Sequence, residues 1–95
     1  RHLPVLAEDG RLEGMVSDRY LLGVAPGFFS VKDIMARQVL TATPDTEIRE
    51  IARIMLDEGI GCLPILDARR MLAGIVTTSD ILRCLTHPEP VELWA

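Results

Sequence analysis

Aromatic residues are scarce: Tyr20, Phe28, Phe29 and Trp94 are the four in a chain of 95. The core must therefore be built from Leu, Ile, Val, Met and Ala, and no aromatic ladder exists on which the bases of a single strand could stack. Blocks of Lys or Arg are absent and the net charge is −4, which disfavours nonspecific binding to DNA or RNA. Long apolar runs are absent too. Leu21-Leu22-Gly23-Val24-Ala25 is among the longest, far short of the roughly 20 residues that span a bilayer, so no membrane insertion is expected. No signal-peptide pattern is visible, and the first residue is Arg1 rather than Met, so the start of the protein is expected upstream. The two cysteines, Cys62 and Cys84, lack metal-ligand spacing; they read as buried, reduced thiols in a reducing, cytoplasmic setting. His2 and His87 have no partner at ligand or catalytic spacing. No Ser-His-Asp, Cys-His, metal or paired-carboxylate arrangement stands out, which argues against an enzyme.

A composition of 48% hydrophobic and 25% charged residues is that of a globular chain. Ninety-five residues allow one compact domain or two small joined units, with a core modest enough that association with another surface is expected. An internal repeat favours two units. Leu3-Pro4-Val5-Leu6 aligns with Leu63-Pro64-Ile65-Leu66 sixty positions later, Leu12-Glu13-Gly14-Met15-Val16-Ser17 with Leu72-Ala73-Gly74-Ile75-Val76-Thr77, and Leu21-Leu22 with Ile81-Leu82, all without a gap. Two similar units side by side allow a site between them.

Periodicity and turn chemistry predict the elements. Residues 2–7 and 12–17 read as strands joined by the Glu8-Asp9-Gly10-Arg11 turn. Asp18 to Leu22 reads as a short helix and Gly23 to Ser30 as a linker. Val31 to Met35 is a helical turn and Gln38 to Thr41 a short strand. Ile48, Ile51, Ala52 and Met55 share one face of an amphipathic helix, with Asp45 or Thr46 as its N-cap and Gly59 as its C-cap. Residues 62–66 and 71–77 form a second hairpin and 79–85 a helix, ended by His87-Pro88-Glu89-Pro90; the tail carries Trp94. The second unit thus reads β-α-β-β-α. The first shows its β-β-α half, and the counterpart of residues 31–60 would lie before Arg1.

This order, and the segments Val31-Lys32-Asp33-Ile34-Met35, Thr43-Pro44-Asp45-Thr46, Gly59 to Leu66 and Leu72 to Arg83, resemble a tandem CBS-domain pair, or Bateman module. The resemblance implies an α+β (α/β-like) fold in which each unit is a small layer of short strands with two helices. It implies the C-terminal half of a first CBS domain over 1–22, a linker over 23–30, a second CBS domain over 31–86 and a tail over 87–95. It also implies pairing into a homodimer, and a non-catalytic module that binds an adenosine-containing ligand in the cleft between domains and regulates an attached protein.

Within Gly74-Ile75-Val76-Thr77-Thr78-Ser79-Asp80 a strand ends and a helix begins, so free N–H groups and the positive end of the helix dipole are expected there, an arrangement suited to phosphate. By resemblance, Thr77 supplies a hydroxyl to phosphate or ribose, and Asp80 a carboxylate to the ribose hydroxyls. Thr77-x-x-Asp80 is equally a capping box that stabilises the helix and binds nothing. Pro64 removes a ladder donor and leaves the backbone beside it free to meet an adenine edge, or else it simply begins an edge strand. The resemblance assigns the base pocket to Cys62, Leu63 and Pro64, with Leu40, Thr41 and Ala42 opposite. The first repeat places Tyr20 where Asp80 stands in the second, so at most one nucleotide site per pair is expected, organised on Asp80. Arg19, Lys32, Arg37 and Arg83 are candidates for a phosphate tail. No cofactor is required; AMP, ADP, ATP or S-adenosylmethionine are the regulatory ligands the resemblance suggests. The competing reading is a non-catalytic assembly or dimerisation module without a small-molecule ligand.

Overall fold

A computed structural model describes residues 2–18 and 30–86, and every structural statement here concerns these. The expectations for residues 19–29 and 87–95, among them the rest of the short helix from Asp18, the roles of Arg19 and Tyr20, the linker, the proline-rich stop and the tail, lie outside the described residues.

The repeat is structural down to its irregularities. Strands β1 (His2–Leu6) and β2 (Leu12–Ser17) form one antiparallel hairpin, and β3 (Cys62–Leu66) and β4 (Leu72–Thr77) form another. Leu3 opposes Val16 as Leu63 opposes Val76, and the register slips between Val5 and Leu6 as it does between Ile65 and Leu66. Each hairpin therefore carries the same bulge at the same place, which twists its strands alike. Arg11 and Met71, equivalent positions of the two repeats, form an antiparallel bridge. Such a bridge maps onto itself under a two-fold rotation, so a local pseudo-two-fold axis relates the hairpins.

The expected strand over Gln38–Thr41 is not present. A single parallel bridge forms one residue later, where Ala42 donates to the Pro64 carbonyl at 3.0 Å and accepts from the Leu66 N–H at 2.8 Å. The reason is Pro64. Continuing that ladder toward the N-terminus would need an N–H at position 64 to reach the Leu40 carbonyl, and proline has none. On the other side of the crossing segment, Met15 and Ala36 exchange a pair of backbone hydrogen bonds of 3.0 and 2.8 Å. Residues 36–42 thus pass from the edge of the first hairpin to the edge of the second.

The helical turn α1 (Val31–Ile34) is capped by Asp33, whose carboxylate accepts from the Ser30 N–H and hydroxyl at 3.0 and 3.1 Å. Helix α2 (Ile48–Glu58) begins after Glu47, so neither Asp45 nor Thr46 is its N-cap. Thr46 is already committed to a turn of its own, donating to the Thr43 carbonyl at 3.0 Å and accepting from the Thr43 N–H at 3.1 Å. Gly59 closes α2 at φ 65°, ψ 35°, a left-handed C-cap that glycine adopts without strain. Ile51 and Met55 of α2 join Ala42, Leu63, Ile65 and Val76 in an aliphatic core, flanked by Ile48, Ile54, Ile60 and Ile81. Helix α3 (Thr78–Thr86) follows β4 directly. No helix among the described residues is long and apolar enough to cross a membrane.

The two hairpin turns close with the same backbone hydrogen bonds, from the Ala7 and Asp67 N–H groups to the Arg11 and Met71 carbonyls, but on different residues. Gly10 has φ +91°, and its counterpart Arg70 has φ +67°. The left-handed region costs a non-glycine residue about 1–2 kcal/mol, and glycine loses about 0.5–1 kcal/mol more chain entropy on folding. Relief exceeds the entropy loss, so Arg70→Gly raises the thermal midpoint by a few degrees in a calorimetric scan (about 1 kcal/mol corresponds to roughly 4–8 °C at this size).

Candidate functional site

Two contiguous cavities run between the hairpins. One, of about 210 Å³, is lined by Met15, Ala36, Gln38, Val39 and Leu40 on the crossing side and by Ile60, Gly61, Cys62 and Pro64 on the other. The second, of about 300 Å³, continues along Ile75, Thr77, Thr78 and Ser79. His2, Gly61 and Cys62 line both. The cleft therefore has an apolar end against the Pro64 strand and a hydroxyl-rich end where α3 begins. The apolar part is small, a volume suited to a flat ring, with the remainder of a ligand extending toward the hydroxyls.

Backbone alternation gives the apolar end its polar groups. Pro64 turns its carbonyl toward Ala42, so two residues earlier Cys62 also presents its N–H and carbonyl away from β4, toward Leu40. Pro64 leaves the Leu40 carbonyl without a ladder partner. The extended segment at Leu40 and strand β3 thus face the cleft with backbone donors and acceptors outside any ladder. The Cys62 thiol between them is free and half-buried, and desolvation pushes its pKa up, so it is a neutral, poorly nucleophilic group.

At the polar end the capping box is closed. Asp80 Oδ2 accepts from the Thr77 N–H at 2.8 Å and from Thr77 Oγ1 at 2.9 Å, while the Asp80 N–H donates to Thr77 Oγ1 at 3.3 Å. The Thr78 N–H donates to the Gly61 carbonyl at 3.0 Å, and the Thr78 hydroxyl donates to the same oxygen at 3.3 Å. Three of the four leading N–H groups of α3 are therefore taken. The expectation of several free ones is corrected to one, that of Ser79, because the cap and the tie to Gly61 consume the rest. Asp80 Oδ1 accepts from Arg83 Nη1 at 3.3 Å.

The sequence-predicted residues separate into three groups. Leu40, Cys62 and Pro64 line the apolar cavity and Thr77 the polar one. Ala42 and Leu63 are buried in the core, at 8% and 0% exposure, and Thr41 is exposed; none of these three lines either cavity. Asp80 stands behind Thr77, its side chain 16% exposed, and reaches the cleft through the cap it forms. Of the proposed phosphate cations, Arg37 donates to the Lys32 carbonyl at 3.4 Å and Arg83 is held by Asp80. Sequence reasoning missed His2 and Gly61, which line both cavities. The repeat held the signal for His2, since it is the counterpart of Cys62.

A third cavity, of about 490 Å³, is lined by His2, Met15, Ser17 and Asp33 together with Ile34, Met35 and Ala36. His2, Met15 and Ser17 are the counterparts of Cys62, Ile75 and Thr77, so it occupies the pseudo-symmetric position of the polar cavity.

The CBS domain sequence model matches residues 1–27 and 31–87. The chain superposes on the cytosolic domain of the Mg2+ channel MgtE, solved in complex with ATP, with a TM-score of 0.82 and 37% identity over 87% of this chain and 33% of that one. It superposes on the CBS domain pair of protein MJ0100, solved with 5′-methylthioadenosine and S-adenosyl-L-methionine, with a TM-score of 0.79 and 32% identity over 90% and 69% of the two chains. The homoserine O-acetyltransferase of Methanohalophilus mahii is 36% identical over 81 residues, 84% of this chain but 17% of that protein.

Proposed function

This chain belongs to the CBS-domain family, and from that premise we propose that it is a non-catalytic regulatory module holding an adenosine-containing ligand in the cleft between its two hairpins. In this reading residues 1–22 are the C-terminal half of one CBS domain, 23–30 a linker, 31–86 the second domain and 87–95 a tail. The acetyltransferase activity of the longer relative belongs to parts of that protein outside the aligned segment, and the module acts in the cytoplasm.

The observation that carries the proposal is the polarity of the cleft. Its apolar end, with Leu40 and Cys62 offering unpaired backbone groups, supports recognition of a flat base by edge hydrogen bonds. Its other end offers the hydroxyls of Thr77, Thr78 and Ser79, with the Asp80 carboxylate directly behind Thr77, an arrangement that suits ribose and its substituent. Thr77 and Asp80 serve as cap and ligand group together. The relatives solved with ATP and with adenosyl compounds support the ligand class. A ligand bridging the hairpins transmits a signal only through different affinity for two packings of them.

The test is thermal unfolding with AMP, ADP, ATP and S-adenosylmethionine. A ligand at one hundred times its dissociation constant adds about 2.7 kcal/mol. That raises the midpoint of a domain this size by roughly 10 °C, and Asp80→Ala abolishes the rise. Exposed Leu56, Leu82 and Leu85 on α2 and α3, at 81%, 55% and 77%, favour the second reading, a face covered by another copy in a homodimer. Midpoints indifferent to every ligand, together with a concentration-dependent dimer, would leave assembly as the module's role.

A further inference from the structure

We infer that Arg83 is a specificity-determining residue of the cleft, a cation that pairs with Asp80 when the site is empty and turns to the ligand's phosphate when ribose takes its place. The inference rests on the nucleotide reading above. Both oxygens of Asp80 are engaged, but unequally. Oδ2 holds the cap of α3 through two hydrogen bonds of 2.8 and 2.9 Å. Oδ1 holds only Arg83, at 3.3 Å, and the arginine side chain is 49% exposed. A ribose hydroxyl approaching the carboxylate therefore displaces the arginine and leaves the helix cap in place.

The displaced guanidinium has an acceptor waiting at short range. Position 83 lies three residues beyond Asp80 and four beyond Ser79, one helical turn along the same face. Ser79 lines the polar cavity and carries the one uncommitted N–H of the first turn. A phosphate extending from the ribose into that cavity meets this N–H and lies within the sweep of a long, exposed arginine, which binds phosphate well. A ligand without phosphate breaks the Asp80–Arg83 pair and receives nothing in exchange. Arg83 thus opposes the nucleoside and favours the nucleotide.

Titration calorimetry of the wild type and of Arg83→Gln and Arg83→Lys, each with adenosine and with AMP, tests this. Arg83→Gln is expected to tighten adenosine about two- to fivefold, because an exposed competing pair is removed. It is expected to weaken AMP about tenfold, the loss of a charge-assisted contact that is partly solvated. Arg83→Lys recovers part of the AMP affinity. The unliganded midpoint of Arg83→Gln, measured alongside, stays within a few degrees of wild type. A wild type that binds both ligands while Arg83→Gln leaves their ratio unchanged overturns this inference and spares the nucleotide reading. A wild type that binds neither overturns both.

Discussion

Leu63→Ala is expected to be the most damaging single substitution in the second unit. Leu63 is 0% exposed and sits on β3 among Ala42, Ile51, Met55, Ile65 and Val76. Truncation removes its methyl groups from the core and leaves a cavity that a hydrogen-bonded strand cannot collapse into. The cost of such a change is about 2–5 kcal/mol, which lowers the thermal midpoint by at least roughly 10 °C. Its repeat counterpart supplies the control. Leu3 is 56% exposed, so Leu3→Ala should change stability by no more than about 0.5 kcal/mol. The same residue type at the same register position thus yields two very different results in one urea series.

The second large effect falls on Gly14. A Cβ built there would stand 2.6 Å from the Ala36 carbonyl oxygen and 2.9 Å from Met35 Sδ. The methionine could move, but the carbonyl cannot, because it accepts the Met15 N–H at 3.0 Å in the pair that ties the crossing segment to β2. Gly14→Ala therefore forces β2 and residues 35–36 apart. Overpacking of this kind costs about 1–3 kcal/mol, and Gly14→Val costs more. Since Met15 and Ala36 also line the apolar cavity, the displacement is expected to weaken ligand binding in proportion. Parallel denaturation curves and ligand titrations of the two variants check this.

Much of the fold was legible because the chain says it twice. The alignment of Leu3-Pro4 with Leu63-Pro64 and of Gly14 with Gly74 anticipated two hairpins whose registers coincide, and even the bulge repeats. Gly59 announced the end of α2 through a conformation that glycine alone adopts freely. Each difference has a specific cause. Residues 38–41 have the local character of a strand, but whether they pair is decided by Pro64, more than twenty positions away. Asp45 and Thr46 are good capping residues, yet Thr46 is already bound to Thr43, so the helix starts at the next opportunity.

The site was legible at its polar end and less so elsewhere. Thr77-x-x-Asp80 has a spacing that carries its own geometry, and the capping box forms as that spacing requires. His2 and Gly61 meet only because two hairpins from distant parts of the chain face each other, which no local pattern encodes. Alternation along β3 also sends Leu63 to the core while its neighbours Cys62 and Pro64 face the cleft. A run of three adjacent residues could not be read as one surface.

The most direct measurement is a titration of the 15N-labelled protein with AMP, followed through its backbone amide resonances. A ligand lying along the cleft shifts Leu40, Gly61 and Cys62 at one end and Thr77 and Ser79 at the other, with the exposed faces of α2 and α3 unmoved. Amide shifts confined to those helix faces, or a spectrum unchanged at millimolar AMP and equally unchanged with S-adenosylmethionine, would contradict the account.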